Sequence, residues 1–308
     1  MVTSNRRHFL RTSALAIAGT KAWSEVRNAA AQTAPSAGTA RQGAITVNHD
    51  LHTHTVYSDG FSSIPLHISR ARAFELEAIA ITDHFTPGSK ISDSQAEFDI
   101  YLAEIERERS DQQELIVLKG AEATALDTTG RISIDQRHAE RLEWVLCDLG
   151  GLSEGTLRHP PGDKQKYVEN VVRTYLSLCD VKYLNAIAHP FNTGNTRPAA
   201  LPTDYPPHLL QELAAKMAEK GKTFDVMNDM IYWFQEARVA PREFTAQYVE
   251  LVKLFAAKGV MFQVSSDDHR TGLGNTRWAQ LVLSRALVPP GQIVNPKQIA
   301  RRPKRTDA

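Results

Sequence analysis

Short, dense apolar runs alternate along this chain with longer stretches in which apolar side chains recur at helical spacing. The runs predict strands at 44–51, 77–82, 115–122, 143–149, 182–188, 223–228 and 259–265. The stretches between them predict helices at 65–74, 94–109, 164–178, 207–220 and 244–258. Pro65, Pro207 and Pro241 stand near helix starts, where a missing N–H costs little, and Gly221 and Gly259 follow helix ends. Strand candidates separated by mostly helical segments argue for parallel pairing with crossover helices, and so for an α/β barrel. No internal repeat is visible.

The residues that end the apolar runs carry the candidate chemistry. The segments ITVNHDLHTH (45–54), LEAIAITDH (76–84), LIVLKGAE (115–122), VKYLNAIAHP (181–190) and GVMFQVSSDDH (259–269) each finish on imidazoles or carboxylates. His52 and His54 lie two apart, so on a strand both imidazoles face one way and can reach one ion. Asp59, His84, Glu122, His189, Asp267 and His269 sit at or just past the ends of the same or other runs. Delivered by one end of a barrel, such a set is what a multinuclear metal site needs.

Composition narrows the class. The chain has 308 residues, 42% of them apolar, enough for a full-sized core, and a net charge of +1. Without residues 1–31 it keeps 31 basic against 34 acidic side chains, which argues against stable nucleic-acid binding. No apolar run approaches the roughly 20 residues that span a bilayer. The two cysteines, Cys147 on a predicted strand and Cys179 at a helix end, imply neither a disulfide framework nor a zinc motif, and are expected to be buried thiols. The start of the chain resembles a twin-arginine export signal: Arg6-Arg7, then Phe9-Leu10, a weak apolar core and small residues at Ala29 and Ala31. A leader over 1–31, a flexible linker over 32–43, a barrel over 44–288 and a basic Pro/Arg-rich surface tail over 289–308 are expected. The leader implies passage through the twin-arginine export machinery to a periplasmic or secreted location; without a working leader the protein would stay cytoplasmic.

The motifs Asp50-Leu51-His52-Thr53-His54, Tyr57-Ser58-Asp59-Gly60, Ile81-Thr82-Asp83-His84, Gly120-Ala121-Glu122, Ala188-His189-Pro190 and Ser265-Ser266-Asp267-Asp268-His269 resemble, in order, those of the PHP (polymerase and histidinol phosphatase) family. The resemblance runs from about residue 45 to 288. It implies a distorted (β/α)7 TIM-like barrel and a phosphoesterase with two or three divalent ions, Zn, Mn or Fe, at the C-terminal strand ends. Carried over, His52, His54, Glu122 and Asp267 would hold a first ion. Glu122 would bridge to a second that also takes His189, and Asp59, His84 and His269 would hold a third. Asp83 and Asp268 would orient neighbouring imidazoles.

One position departs from the family pattern: the fourth strand ends on Gly150, where a histidine is usual. Asp148, on the same strand face, or His138 from the preceding segment could stand in. The expected reaction is hydrolysis of a small phosphomonoester or nucleotide by a metal-bound hydroxide. Asp267 and Arg270 are the expected catalytic residues; Arg158, Arg197 and Arg270 all follow predicted strands and could meet phosphate oxygens or be solvated. The competing reading is a metal-binding barrel with weak or no catalysis because of Gly150. An exported enzyme would have no reason to be a biosynthetic histidinol phosphatase. Of the remaining features, His49 is expected to point away from the HxH pair, and His67, His159 and His208 to be exposed. The segment from Phe191 to Asn195 is expected to be a loop near the site. Ile231-Tyr232-Trp233-Phe234 would be a stacking surface, a lid or core.

Overall fold

A computed structural model describes residues 45–110 and 114–300. The leader, the whole linker and the end of the tail lie outside the described residues. The strands are β1 (His49–Thr53), β2 (Ala78–Ile81), β3 (His84–Phe85), β4 (Ile116–Thr124), β5 (Trp144–Asp148), β6 (Ala186–Ile187), β7 (Thr223–Met227) and β8 (Met261–Ser265). All pair in parallel in the order β1-β2-β4-β5-β6-β7-β8, with β3 beside β4. β2 and β3 are two halves of one interrupted strand: β4 serves β2 with its first residues and β3 with its last. The ladder crosses the interruption through Glu122 N–H donating to Asp83 C=O at 3.1 Å. Seven parallel staves therefore form a nearly closed barrel. Its last seam is drawn together at the C-terminal end, where Asp267 N–H donates to His52 C=O at 3.0 Å and His54 N–H to Asp268 C=O at 2.9 Å.

The strands are apolar on both faces because both are covered, which is why they stood out as continuous runs. Leu51, Ala78, Ala80, Leu118, Trp144, Leu146, Ala186 and Ala188 fill the lumen. The opposite faces pack against α1 (Ile64–Ala73), α3 (Gln95–Ser110), α5 (Lys164–Leu178), α6 (Pro207–Glu219) and α7 (Pro241–Ala257). Short α2 (Lys90–Asp93), α4 (Gln136–Ala139), α8 (Arg277–Arg285) and α9 (Pro296–Ala300) are the other α-helices of the described chain, which also has 3-10 turns at Pro202–Asp204, Met230–Phe234 and Pro290–Gln292. Gly120 sits where strands crowd: a Cβ there would come within 2.6 Å of Thr82 Cγ2 and 2.7 Å of Trp144 O, so glycine lets β2, β4 and β5 close on one another. Cys147 and Cys179 are buried and free, as expected.

Three local expectations change. The register between β1 and β2 shifts between Asp50 and Thr53, so Leu51 and His52 together face the single Ala80. This bulge reverses side-chain parity and turns His49, paired with Ala78, toward the lumen along with His52 and His54. His67 is fully buried on the inner side of α1 rather than exposed, whereas His159 and His208 are exposed. The tail from Pro289 is not a surface extension through Ala300. Val294 N–H donates to Phe262 C=O at 2.8 Å, and Val294 and Ile299 join the lumen cluster, plugging the N-terminal end of the barrel.

Candidate metal centre

Each candidate residue comes from a strand end or the loop just beyond it, at the C-terminal rim. His52 lies on β1 and His54 follows it; His84 starts β3, Glu122 lies on β4, His189 follows β6, and Asp267 and His269 follow β8. Two of them hold left-handed backbone conformations, His189 at φ 25° and Asp267 at φ 54°. Strain of this kind persists where the surroundings over-determine a residue, and here it aims both side chains at the same point.

Three sets converge. In the first, His54 Nε2 lies 3.0 Å from both His52 Nε2 and Asp267 Oδ1. In the second, Glu122 Oε1 stands 3.3 Å from His52 Nε2 and 3.4 Å from His189 Nε2. In the third, Asp59 Oδ1 stands 3.6 Å from His84 Nε2 and 3.3 Å from His269 Nε2, with His54 alongside. Glu122 is the hub, since its Oε2 also lies 2.8 Å from His84 Nδ1 and 3.6 Å from His54 Nε2.

These donors fit divalent cations better than they fit one another. Both Glu122 oxygens, Asp267 Oδ1, Asp148 Oδ1, and the Nδ1 atoms of His54 and His189 are buried without a well-formed hydrogen bond. Buried carboxylate oxygens in that condition call for a positive charge. With protons alone, the cluster polarises. Burial would lower His84 and His269, but the Glu122 carboxylate pushes His84 up to about 10 and the hydrogen bond to Asp59 pushes His269 up to about 9. Burial and the neighbouring His84 push His54 down to about 3. Burial would raise Glu122 and Asp267, yet the imidazole of His52 first of all holds both below the ordinary carboxylate range.

A set of buried acids holds this rim in place. Asp225 on β7 accepts from His52 Nδ1 at 3.1 Å and His189 N–H at 3.3 Å, which leaves His52 Nε2 free to act as a ligand atom. The sequence reading missed Asp225; its signal was one carboxylate inside the apolar run TFDVM. Asp83 accepts from Thr55 N–H at 2.8 Å and from the Thr55 and Ser58 hydroxyls, each at 2.7 Å, fixing the loop that carries Asp59. Asp268 accepts from Arg270 N–H at 2.9 Å and Arg70 Nη1 at 3.2 Å. Both therefore brace backbone rather than a ligand imidazole, because their side chains meet the N–H groups of the rim loops first. Asp50 does likewise for Ser266 and Gly274, at 2.9 and 2.8 Å.

The rim encloses a cavity of about 440 Å³, lined by the cluster residues other than His52 and His54 and by Asp148, Met227, Asp229, Tyr232 and Trp233. A larger cavity, about 770 Å³, opens at the other end of the barrel among Ile45, Ile116, Val294 and Lys297, away from the three sets. No Lys or Arg is among the described residues lining the rim cavity. Arg270 lies over the Phe61 ring, 4.4 Å from its centroid, while Arg197 and Arg158 are paired on the surface with Glu236 and Glu154. Residue 270 adjoins a ligand candidate in sequence, but the turn after β8 directs its side chain outward. His138 is also elsewhere, held by Asp135 and Gln95. The aromatic segment divides its roles: Phe234 is core, whereas Trp233 stands 5.8 Å from the His189 ring and Tyr232 is half exposed at the mouth. The loop after His189 is buried and packs beside the site, with Asn192 Nδ2 donating to Leu149 C=O at 3.1 Å.

A family profile described as the PHP domain matches residues 50–266. Among curated proteins, a "Probable phosphatase" of Caldicellulosiruptor bescii is 24% identical over 251 residues, covering 80% of this chain and 90% of the relative. A "Probable phosphatase" of Acetivibrio thermocellus is 25% identical over 224 residues, covering 71% and 78%. Among solved structures, histidinol phosphate phosphatase from Lactococcus lactis, in complex with zinc, L-histidinol and phosphate, superposes with a TM-score of 0.57 at 16% identity. It covers 78% of this chain and 94% of its own. At that identity the likeness speaks for the fold.

Proposed function

The chain belongs to the PHP domain family, and from that premise we propose that it is a metal-dependent phosphatase acting on a small phosphomonoester. The observation that carries this reading is the convergence of three imidazole–carboxylate sets, each with a ring nitrogen within 3.6 Å of one buried glutamate, Glu122, at the wall of a cavity of about 440 Å³. His52, His54 and Asp267, with Glu122 within 3.6 Å, would hold one ion, Glu122 with His189 and His52 a second, and Asp59, His84 and His269 with His54 a third. Bound divalent ions would supply Lewis acidity at the phosphoryl oxygens and bring the pKa of water near neutrality. The protein's own groups do the rest. Asp225 fixes the His52 ring, and the braced loops hold Asp59 and Asp267 in place before substrate arrives. The cavity wall offers a phosphate no Lys or Arg among the described residues, so its charge must be met by the ions. Trp233, Tyr232 and Met227 give the leaving group an apolar flank. The Lactococcus neighbour was solved with an alcohol and phosphate, and an alcohol phosphate is the class we carry over.

The phosphatase relatives do not favour a purely metal-binding role. Purified protein loaded with Mn or Zn should release phosphate from an aryl phosphate and lose the activity to a chelator. No turnover on a broad phosphomonoester panel under any divalent ion would overturn the proposal. We also propose export by the twin-arginine route, supported by Arg6-Arg7 and the small residues up to Ala31. A reporter fused behind residues 1–43 should leave the cytoplasm, and changing Arg6 and Arg7 together to Lys should retain it there. An unchanged distribution would sink the export reading.

A further inference from the structure

The strand whose end lacks an imidazole has a carboxylate in that imidazole's place. A Cβ built on Gly150 would stand 2.8 Å from Asp148 Oδ2, 3.2 Å from Asp148 Oδ1 and 3.2 Å from Thr124 Cγ2. The Asp148 carboxyl group therefore fills the space into which a side chain at 150 would grow. Its direction follows from the register. Leu146 faces the lumen and pairs with Glu122, and Asp148, two residues on, pairs with Thr124 and points into the same cavity. Asp148 is only 8% exposed, and its Oδ1 has no hydrogen-bond partner. A buried carboxylate facing another one, Glu122, in a cavity whose described lining offers imidazoles but no Lys or Arg, is placed to take a divalent cation together with those imidazoles. His138, the other conceivable substitute, is held away from the cavity by Asp135 and Gln95 and packs on Phe85 and Phe98.

We propose that Asp148 is a ligand to a divalent cation shared with Glu122 and His189, and that it replaces the group Gly150 cannot supply. This rests on the phosphatase reading above. It also gives that site two carboxylates to one imidazole, an oxygen-rich set that narrows the usual preference for Zn over Mn.

The test is metal content per chain, measured by equilibrium dialysis against Mn and, separately, Zn, followed by elemental analysis. It would compare wild type, Asp148→Asn and the exchange variant Asp148→Gly/Gly150→His. Gly150 does not have a positive φ, so its backbone accepts a side chain once Asp148 is shortened. Asp148→Asn should lose one equivalent of Mn, and the exchange variant should regain a metal equivalent with a larger preference for Zn over Mn than wild type shows. An unchanged Mn count and affinity in Asp148→Asn would overturn the role of Asp148; with wild type still loading metal and hydrolysing an aryl phosphate, the phosphatase reading would stand. A wild type that takes up no metal would overturn both. If Asp148→Asn does not fold, the exchange variant decides: a Zn-over-Mn affinity ratio raised above that of wild type supports the assignment, and an unaltered ratio refutes it.

Discussion

Glu122→Gln is expected to lower kcat/KM on an aryl phosphate by at least about 10³-fold while the barrel still folds. That factor corresponds to about 4 kcal/mol, the order of transition-state stabilisation a metal centre supplies. The loss should be this large because Glu122 serves every set at once. Its two oxygens stand within 3.6 Å of ring nitrogens from His52, His54, His84 and His189. An amide keeps the shape but removes the negative charge and turns one acceptor into a donor facing those rings. Asp225→Asn provides the internal scale. It touches only the far side of His52 and the His189 N–H, so it should cost about 10–100-fold in metal affinity or activity, as the loss of a carboxylate behind a ligand histidine does. Steady-state kinetics with saturating Mn, alongside circular dichroism of each variant, would check both. If Glu122→Gln stays within tenfold of wild type, Glu122 is not the hub of the active centre.

The parts legible in the sequence were those set by one-dimensional pattern. Parallel strands covered on both faces make apolar runs, and side chains needed at one rim of a barrel must fall at the ends of those runs. His52, His54, His84, Glu122, His189, Asp267 and His269 all lie where this rule places them. What stayed hidden depends on contacts between distant segments. His49 was assigned to the wrong face because a bulge at Leu51–His52, visible only in the register with β2, shifts parity by one. Asp225 went unnoticed because its value lies in reaching His52, 173 residues away. Arg270 adjoins His269 in sequence, yet its side chain stacks on Phe61, since a turn separates directions that a strand would alternate. Asp83 and Asp268 looked like supports for imidazoles and proved to support backbone; sequence spacing fixes which loop a carboxylate occupies, not which donor it meets first.

Metal affinity should rise steeply with pH, by about 100-fold per unit from pH 7 to near 9, for the set formed by Asp59, His84 and His269. The sign follows from the imidazoles. Without metal, the Glu122 carboxylate holds His84 up to about 10 and the Asp59 hydrogen bond holds His269 up to about 9, so both are protonated at neutral pH. An ion binds only the neutral rings and must expel two protons, each worth about a factor of ten per pH unit. Between about 9 and 10 only the His84 proton remains to be displaced, and above that the dependence should flatten. His54, pushed down to about 3, is neutral throughout and adds no slope. Stability of the metal-free protein should run the other way. Both raised imidazoles start from 6.5, so what they contribute is fully present below 6.5 and is lost as pH climbs through 9 and 10. Glu122 and Asp267 are depressed, so their contribution is present above the ordinary carboxylate range and is lost only on acidification. Chelator-competition titrations at several pH values, with the melting temperature of chelated and loaded protein beside them, would test this. The chelated protein should soften from pH 7 to 10 while the loaded protein gains on it. An affinity that does not change between pH 7 and 8 would mean that those imidazoles are already neutral, and that Glu122 and Asp59 do not hold their protons in place.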